Sequence, residues 1–334
     1  MWKYGVALFV SLLLLPGAFC YCRLPHDFQS RDSVELVLEG ENLRQVACRL
    51  AEKELLRFPR LFMVLARVLE KDRTVQAGEY LLNSSMCPRE ILERLSCGAT
   101  VLYRITVPEG YSVKQIASLL EQTQLADGSA VLQASRDLPL LEELGVRADS
   151  LEGYLFPDTY YFAKGHSPQT LLKTMVRQFW KSYDSSLRDP QHASGWNLCE
   201  VVTMASIVEA EARKKEEKPL IASVLINRLR KGMPLQCDPT VIYGLENFEG
   251  NLKREHLLVQ HPYNTYEFKG LPPGPICNPG LDSLKAVLDP ADTSYLYFVS
   301  RNDGTHEFST TLRDHNRAVQ NYQKKGSARR PCRP

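Results

Sequence analysis

The eleven residues Val37-Leu38-Glu39-Gly40-Glu41-Asn42-Leu43-Arg44-Gln45-Val46-Ala47 recur seventy positions later as Val107-Pro108-Glu109-Gly110-Tyr111-Ser112-Val113-Lys114-Gln115-Ile116-Ala117. Each copy reads as a short strand, a glycine turn, an Asn or Ser helix cap, and a helix with apolar residues three and four apart, as in Val113, Ile116, Ala117 and Leu120. A partial third unit lies between them: Gly78-Glu79-Tyr80-Leu81-Leu82, followed by Pro88-Arg89-Glu90-Ile91-Leu92. Pro88 suits the first turn of a helix, where its missing N–H costs nothing. Short strands paired with amphipathic helices predict an α+β fold.

Small strand–helix units of this sort look like the LysM-type modules that bind N-acetylglucosamine polymers, and residues 24–121 are expected to form such a region. A short echo can equally be structural only. On the N-terminal side, Tyr4–Cys22 is uncharged and rich in Val, Leu, Phe and Ala, with Lys3 before it and Arg23 after it. That length just reaches the roughly 20 residues needed to span hydrocarbon. A cleaved signal peptide has a similar plan, but no clean small-x-small site follows, so an uncleaved anchor over residues 1–23 is the expectation. No second apolar run of spanning length follows it, which places the rest of the chain on one side of the membrane.

On the C-terminal side, residues 122–150 read as a helical connector, and Leu151–Phe162 packs five aromatics into twelve residues around a Pro-Asp turn. Pattern alone favours an aromatic core corner there over a ligand platform, although sugar rings do stack on exposed aromatic faces. A helix is expected from Pro168 to about Ser182, a polar loop with Trp196, then a helix over Asn197–Arg213. At 100° per residue, Val201, Val202, Ala205, Val208 and Ala212 form one stripe, with Glu209 on its flank. Glu211 falls on the other side, spaced as a solvated pair with Lys214 and Lys215. A second amphipathic helix is expected over Pro219–Lys231, after which the chain is rich in Pro, Gly, amide, hydroxyl and aromatic groups on stiff turns. Such loops suit the gripping of a neutral, hydroxyl-rich ligand, and equally a set of surface turns.

Composition narrows the function classes. At 334 residues the chain is long enough for two or three packed units, and its 41 basic and 39 acidic side chains give a net charge of +2, so no global field favours nucleic acid. Residues 324–334 are locally basic and read as a frayed tail. The nine cysteines form no CxxC pair outside the anchor, and none of the seven histidines has HxxxH or HExxH spacing, so no metal site is expected.

Six motifs, in order, decide the matter: Glu152-Gly153-Tyr154-Leu155-Phe156-Pro157-Asp158-Thr159-Tyr160, Ala205-Ser206-Ile207-Val208-Glu209, Ile226-Asn227-Arg228-Leu229, Leu235-Gln236-Cys237-Asp238-Pro239-Thr240-Val241-Ile242-Tyr243-Gly244, Tyr263-Asn264-Thr265-Tyr266 and Gly270-Leu271-Pro272-Pro273-Gly274-Pro275-Ile276. Together they resemble the YceG-like (MltG) family of endolytic murein transglycosylases, over roughly Val34 to Tyr322. The resemblance implies a bacterial inner-membrane protein with a single-pass anchor and a LysM-like region. It also implies an extracytoplasmic catalytic domain, here residues 151–323, that cuts within peptidoglycan strands and needs no cofactor. Glu209, closing Ala-Ser-Ile-Val-Glu, is then the catalytic glutamate. In such chemistry the C6 hydroxyl of the substrate attacks its own anomeric carbon, leaving a 1,6-anhydro-N-acetylmuramic acid end, so one carboxyl group suffices where a hydrolase needs two. Acting first as an acid calls for a partly apolar setting, expected beside Val202 and Ala205, with Asp238 or Glu152 as a candidate second carboxylate.

Gln236, Tyr263, Asn264 and Asn278 are expected donors to acetamido and hydroxyl groups, and Tyr243 and Tyr266 stacking surfaces. Glu152 and Asp238 complete the expected binding set, Asp238 having the alternative of capping the turn at Pro239. His306 and His315 match family positions, with structural hydrogen bonding as the other reading. Cys237 and Cys277 depart from the family's small or polar residues and would bridge if close. Expected partners are peptidoglycan strands and the membrane, with glycan polymerases and transpeptidases of wall synthesis implied by the family, and no nucleic acid. Two other readings compete: a non-catalytic wall-binding or division scaffold, and the pyridoxal-phosphate lyase label sometimes attached to the family. The second needs a Schiff-base lysine, and no Lys in the motifs supports it.

Overall fold

The computed structural model describes residues 34–38, 41–76, 78–186, 195–245, 248 and 250–324. The anchor reading of Tyr4–Cys22 and the tail from residue 325 lie outside them. No helix among the described residues is long and apolar enough to cross a membrane.

In chain order the elements are β1 (Val34–Leu38), α1 (Leu43–Glu52), α2 (Pro59–Val68), β2 (Gly78–Leu82), α3 (Pro88–Cys97), β3 (Tyr103–Thr106), α4 (Val113–Gln122), α5 (Gly128–Ala134), α6 (Leu138–Glu143) and β4 (Thr159–Phe162). They continue as α7 (Pro168–Ser186), α8 (Leu198–Glu211), α9 (Lys218–Arg230), α10 (Asp238–Gly244), α11 (Leu281–Leu288), β5 (Tyr297–Ser300), β6 (His306–Ser309) and α12 (Leu312–Val319). The described strands form three two-stranded sheets, β1 with β2, β3 with β4, and β5 with β6. The class is mixed α+β, as expected, with helices dominating.

The chain divides into two compact units. The first holds the chain to Ile105 together with Glu121–Ala126 and Tyr160–Ser167. Its strands β1 and β2 run antiparallel, Leu36 opposite Tyr80 and Leu38 opposite Gly78. In each echo copy a strand precedes a helix, and in the second the turn at Glu109-Gly110 joins them. In the first, Asn42 caps α1 by accepting from Gln45 N at 3.1 Å while Gln45 Oε1 accepts from Asn42 N at 3.0 Å, a reciprocal box that fixes the helix start. Val46, Leu50, Phe62, Leu65, Ile91, Leu92 and Leu95 close over Leu36, Tyr80 and Leu82 to form the core. The buried Tyr80 hydroxyl donates to Gln76 O at 2.9 Å, so the ring brings no orphan polar group inside.

The second unit comprises Thr106–Leu120, Asp127–Thr159 and the chain from Pro168. Its boundaries differ from the sequence-based division: most of the 122–150 connector, folded as α5 and α6, clusters with the catalytic region, and so does the second echo's helix up to Leu120. The centre of this unit is α8. Every residue from Val201 to Val208 is buried, including Thr203, Met204, Ser206 and Ile207, so α8 is enclosed on all sides and not on the single stripe expected. Ser206 remains satisfied inside, its hydroxyl donating to Thr203 O at 2.7 Å and accepting from Ile276 N at 3.0 Å. Helix α9 is likewise mostly buried, and its Asn227 and Arg228 donate to the carbonyls of Thr293, Tyr295, Leu296 and Leu235. The part of the aromatic stretch in this unit is core: Tyr154 and Phe156 are buried and Tyr154 meets Phe179 edge-on at 5.1 Å, while of the rings in the first unit Tyr160 and Phe162 are buried and Tyr161 is exposed. Gly153 is required there, because φ is +88° and a Cβ would lie 2.6 Å from both Val202 Cγ1 and Pro275 Cγ.

Candidate active site

Helix α8 starts at the capping box of Asn197 and Glu200 and carries Glu209 in its last turn. Buried on all sides up to Val208, the helix delivers that carboxyl to a fixed position. Lys218 Nζ donates to Glu209 Oε1 and Oε2, both at 3.1 Å. Oε2 also accepts from Gly280 N at 2.9 Å and from Ser283 Oγ at 2.7 Å. The side chain of Glu209 is 8 % exposed and that of Lys218 4 %, so the pair is largely withdrawn from water. Lys218 Nζ also lies 3.7 Å from Glu109 Oε2, whose side chain is 44 % exposed.

Two expectations are corrected here. The surroundings of the Glu209 carboxyl are an ammonium, a backbone N–H and a hydroxyl, not the apolar wall of Val202 and Ala205, because those two side chains are buried within the helix packing while the carboxyl emerges at its end. The carboxylate that shares a cation with Glu209 is Glu109, not Asp238 or Glu152. Sequence reading missed Glu109, Lys218, Gly280 and Ser283. Glu109 stood in the echo, inside Val-Pro-Glu-Gly, and Gly280 ended the Asn-Pro-Gly turn, but neither Lys218 nor Ser283 carried a local signal. A Cβ at Gly280 would meet the Glu109 carboxylate and push it from its place beside Lys218.

Asn278 fixes the loop that presents Gly280. Its Nδ2 donates to Tyr111 O at 2.8 Å and Glu152 Oε1 at 3.2 Å, its Oδ1 accepts from Leu155 N at 2.8 Å, and Gly110 N donates to its carbonyl at 2.9 Å. Glu152, 5 % exposed, accepts from Val113 N at 3.0 Å and from the Tyr243 hydroxyl at 3.1 Å. Burial raises its carboxyl to about 7, against the downward pull of Val113 N–H, Tyr243 and Arg136. Tyr243 packs on Tyr263 at 4.9 Å between ring centroids, and burial raises both phenols.

A third group gathers the remaining candidates. Asn264 is buried, its Nδ2 donating to Leu257 O and Val259 O and its Oδ1 accepting from Tyr266 N. The Tyr266 hydroxyl donates to Asp238 Oδ1 at 2.6 Å, and Asp238 opens α10, with Pro239 next. Gln236 is exposed with φ +53°, its N–H donating to Thr265 O at 3.0 Å. Glu211 belongs to this group rather than to Lys214 and Lys215. Burial and then the charge of Asp238 raise its carboxyl to about 7, with Cys237 and Arg228 pulling the other way, while Lys215 pairs with Asp282 at 2.7 Å.

Cys237 and Cys277 are free, buried thiols, each donating to a backbone carbonyl, Leu235 O and Ser206 O. No bridge joins them. His306 Nδ1 lies 2.7 Å from Glu217 Oε2 and its N–H donates to Glu217 Oε1, fixing the residue that precedes Lys218. His315 stacks on Tyr297 at 5.3 Å. No group of three or more His, Cys, Asp or Glu among the described residues could hold a metal ion.

Comparison with known proteins gives a consistent picture. Residues 36–321 match the model of the YceG-like family. The chain is 33 % identical over 332 residues to an endolytic murein transglycosylase of Bacillus subtilis, covering 93 % of this chain and 91 % of that one. It is 31 % identical over 353 residues to an endolytic murein transglycosylase of Streptococcus pneumoniae, covering 93 % of this chain but only 63 % of that longer protein. A crystal structure of a yceG-like protein from Listeria monocytogenes superposes with a TM-score of 0.60 at 30 % identity, over 86 % of this chain and 99 % of that one.

Proposed function

This chain belongs to the YceG-like family, and from that premise we propose that it is an endolytic lytic transglycosylase of peptidoglycan in which Glu209 is the acid and base. The single observation that carries the reading is the Glu209 carboxyl, held at the end of a buried helix by Lys218, Gly280 N–H and Ser283. In the proposed reaction Glu209 gives its proton to the oxygen bridging N-acetylmuramic acid and N-acetylglucosamine, and the anomeric C–O bond breaks. The muramoyl C6 oxygen then bonds to the anomeric carbon and its proton passes to Glu209. Nothing is oxidised, no water is consumed, and the new end is a 1,6-anhydro sugar.

The donors around Glu209 suit the middle of this cycle. Once the proton has left, the carboxyl is an anion, and an ammonium, an N–H and a hydroxyl already in place stabilise it without reorganising. Glu109, more open and sharing Lys218, places a second negative charge beside the anomeric carbon as positive character develops there. The half-buried Tyr263 and Tyr266 and the exposed Gln236 are the proposed contacts to sugar hydroxyl and acetamido groups. Asn264 and Asn278, whose side chains are committed to protein partners, are proposed to shape the binding loops from behind.

The same proposal takes Tyr4–Cys22 as a single-pass anchor in the bacterial inner membrane, with the remainder extracytoplasmic, and the strand–helix units of residues 24–121 as a LysM-like region lying along glycan strands. Terminating or trimming nascent strands beside glycan polymerases and transpeptidases is the proposed role. The test is mass spectrometry of the ends released from sacculi by the full chain. Wild type should give anhydro-ended fragments, and Glu209→Gln should bind sacculi without cutting. Reducing ends would overturn the mechanism, and an active Glu209→Gln variant would overturn the assignment.

A further inference from the structure

Helix α2 is apolar on the face it buries and apolar again on one exposed flank beside it. Phe62, Leu65 and Ala66 point into the core of the first unit. On the flank that borders this face, its centre about 120° round the helix, Leu61 is 46 % exposed, Val64 53 % and Val68 73 %, at helical positions within about 60° of one another. A helix covering a soluble core normally carries polar residues over the whole of its exposed arc, flanks included. Here the only charged residues of the helix are Arg60 and Arg67, both exposed, with Arg57 just before it. From Arg57 to Leu69 there is no acidic residue. None of the three guanidinium groups has an ion pair among the described residues. Phe58, half exposed beneath Arg57 at 5.7 Å from the ring centroid, continues the surface at the helix start.

An apolar strip edged by arginines is the pattern of a helix lying in a bilayer interface, with the apolar groups reaching below the headgroups and the cations among the phosphates. The position of the helix in the chain makes the lipid surface the fitting occupant. Twelve residue steps separate Cys22, the end of the apolar stretch, from Val34, where β1 begins. Fully extended, they span at most about 40 Å. We propose that the outer face of α2, with Leu61, Val64 and Val68 at its centre and Arg57, Arg60 and Arg67 at its edge, docks onto the anionic surface of the membrane that holds the chain. This rests on the reading of Tyr4–Cys22 as an anchor. Docking holds the first unit against the bilayer.

The experiment uses the full chain reconstituted in vesicles of phosphatidylcholine and phosphatidylglycerol at seven to three, with acyl chains brominated near the carbonyl as quenchers. Flotation of the wild type with the vesicles reads the anchor. Val64→Trp and Leu61→Trp, each corrected for the native tryptophans, read the face, and Leu132→Trp on α5, also exposed, is the control. Quenching at least twofold stronger at 61 and 64 than at 132 is expected, falling by at least half in phosphatidylcholine alone or after Arg57, Arg60 and Arg67 are changed to Gln. A protein that floats with no extra quenching at α2 overturns the docking and leaves the anchor standing. A protein that does not float overturns both. Equal quenching in neutral vesicles overturns the anionic requirement.

Discussion

Glu209 and Lys218 are the pair on which the site depends, nine residues apart in sequence and 3.1 Å apart in space. Removing the cation alone leaves a carboxylate withdrawn from water with only Gly280 N–H and Ser283 to compensate it. Lys218→Met is therefore expected to cost about 3 kcal/mol of stability. The double change Glu209→Gln with Lys218→Met should recover much of that loss, which thermal unfolding of the two variants checks. In kinetics, Lys218→Met is expected to lower kcat about a hundredfold with little change in KM, since Lys218 touches the acid and not the sugar. Lys218→Arg should restore part of the rate. The motif Ala-Ser-Ile-Val-Glu pointed to Glu209 from sequence, but Lys218 stood outside every motif, one residue before the helix expected over Pro219–Lys231. A partner brought in by helix packing leaves no local spacing to read.

At the scale of elements, the site depends on the loop 270–280 seating on α8. Ile276 N–H donates to Ser206 one turn before Glu209, and Pro275 lies against Gly153. Gly153→Ala is expected to destabilise the protein by about 2–4 kcal/mol, combining a left-handed backbone with a Cβ driven against Val202 and Pro275. Activity should fall with it, because the same loop carries Gly280. Circular dichroism melting beside turnover on sacculi checks both. Strand and helix in each echo were legible because Asn42 and the apolar spacing act locally. The burial of α8 on every side was not, since its apolar stripe was expected to have one neighbour and the fold supplies several. Glu211 shows the same limit. Its spacing to Lys214 and Lys215 suggested a solvated pair, whereas the chain turns after Ala212 and the carboxyl meets Asp238 and Cys237 instead.

At the scale of the whole molecule, two carboxyls among the described residues raised to about 7, Glu152 and Glu211, couple stability to pH. Their folded forms hold protons that the unfolded chain releases near 4.5, so this contribution is complete below about pH 4.5 and is lost as pH rises through 7. For the nearly enclosed Glu152 the difference corresponds to about 3 kcal/mol. Glu152→Gln keeps the acceptor for Val113 N–H and removes the ionisation. The melting temperature of this variant, relative to wild type, is expected to rise between pH 5 and pH 7.5, and a constant difference would refute the coupling. Local chemistry in the sequence by itself determined the α+β class, the strand–helix units, the family and the glutamate to examine, because caps, turns and periodicity act over a few residues. Tertiary structure alone decided the division into units, the enclosure of α8, and the joining of Glu109, Glu209, Lys218, Gly280 and Ser283 into one site. Those groups come from segments far apart in the chain, and only packing sets the distances over which a charge or a hydrogen bond acts.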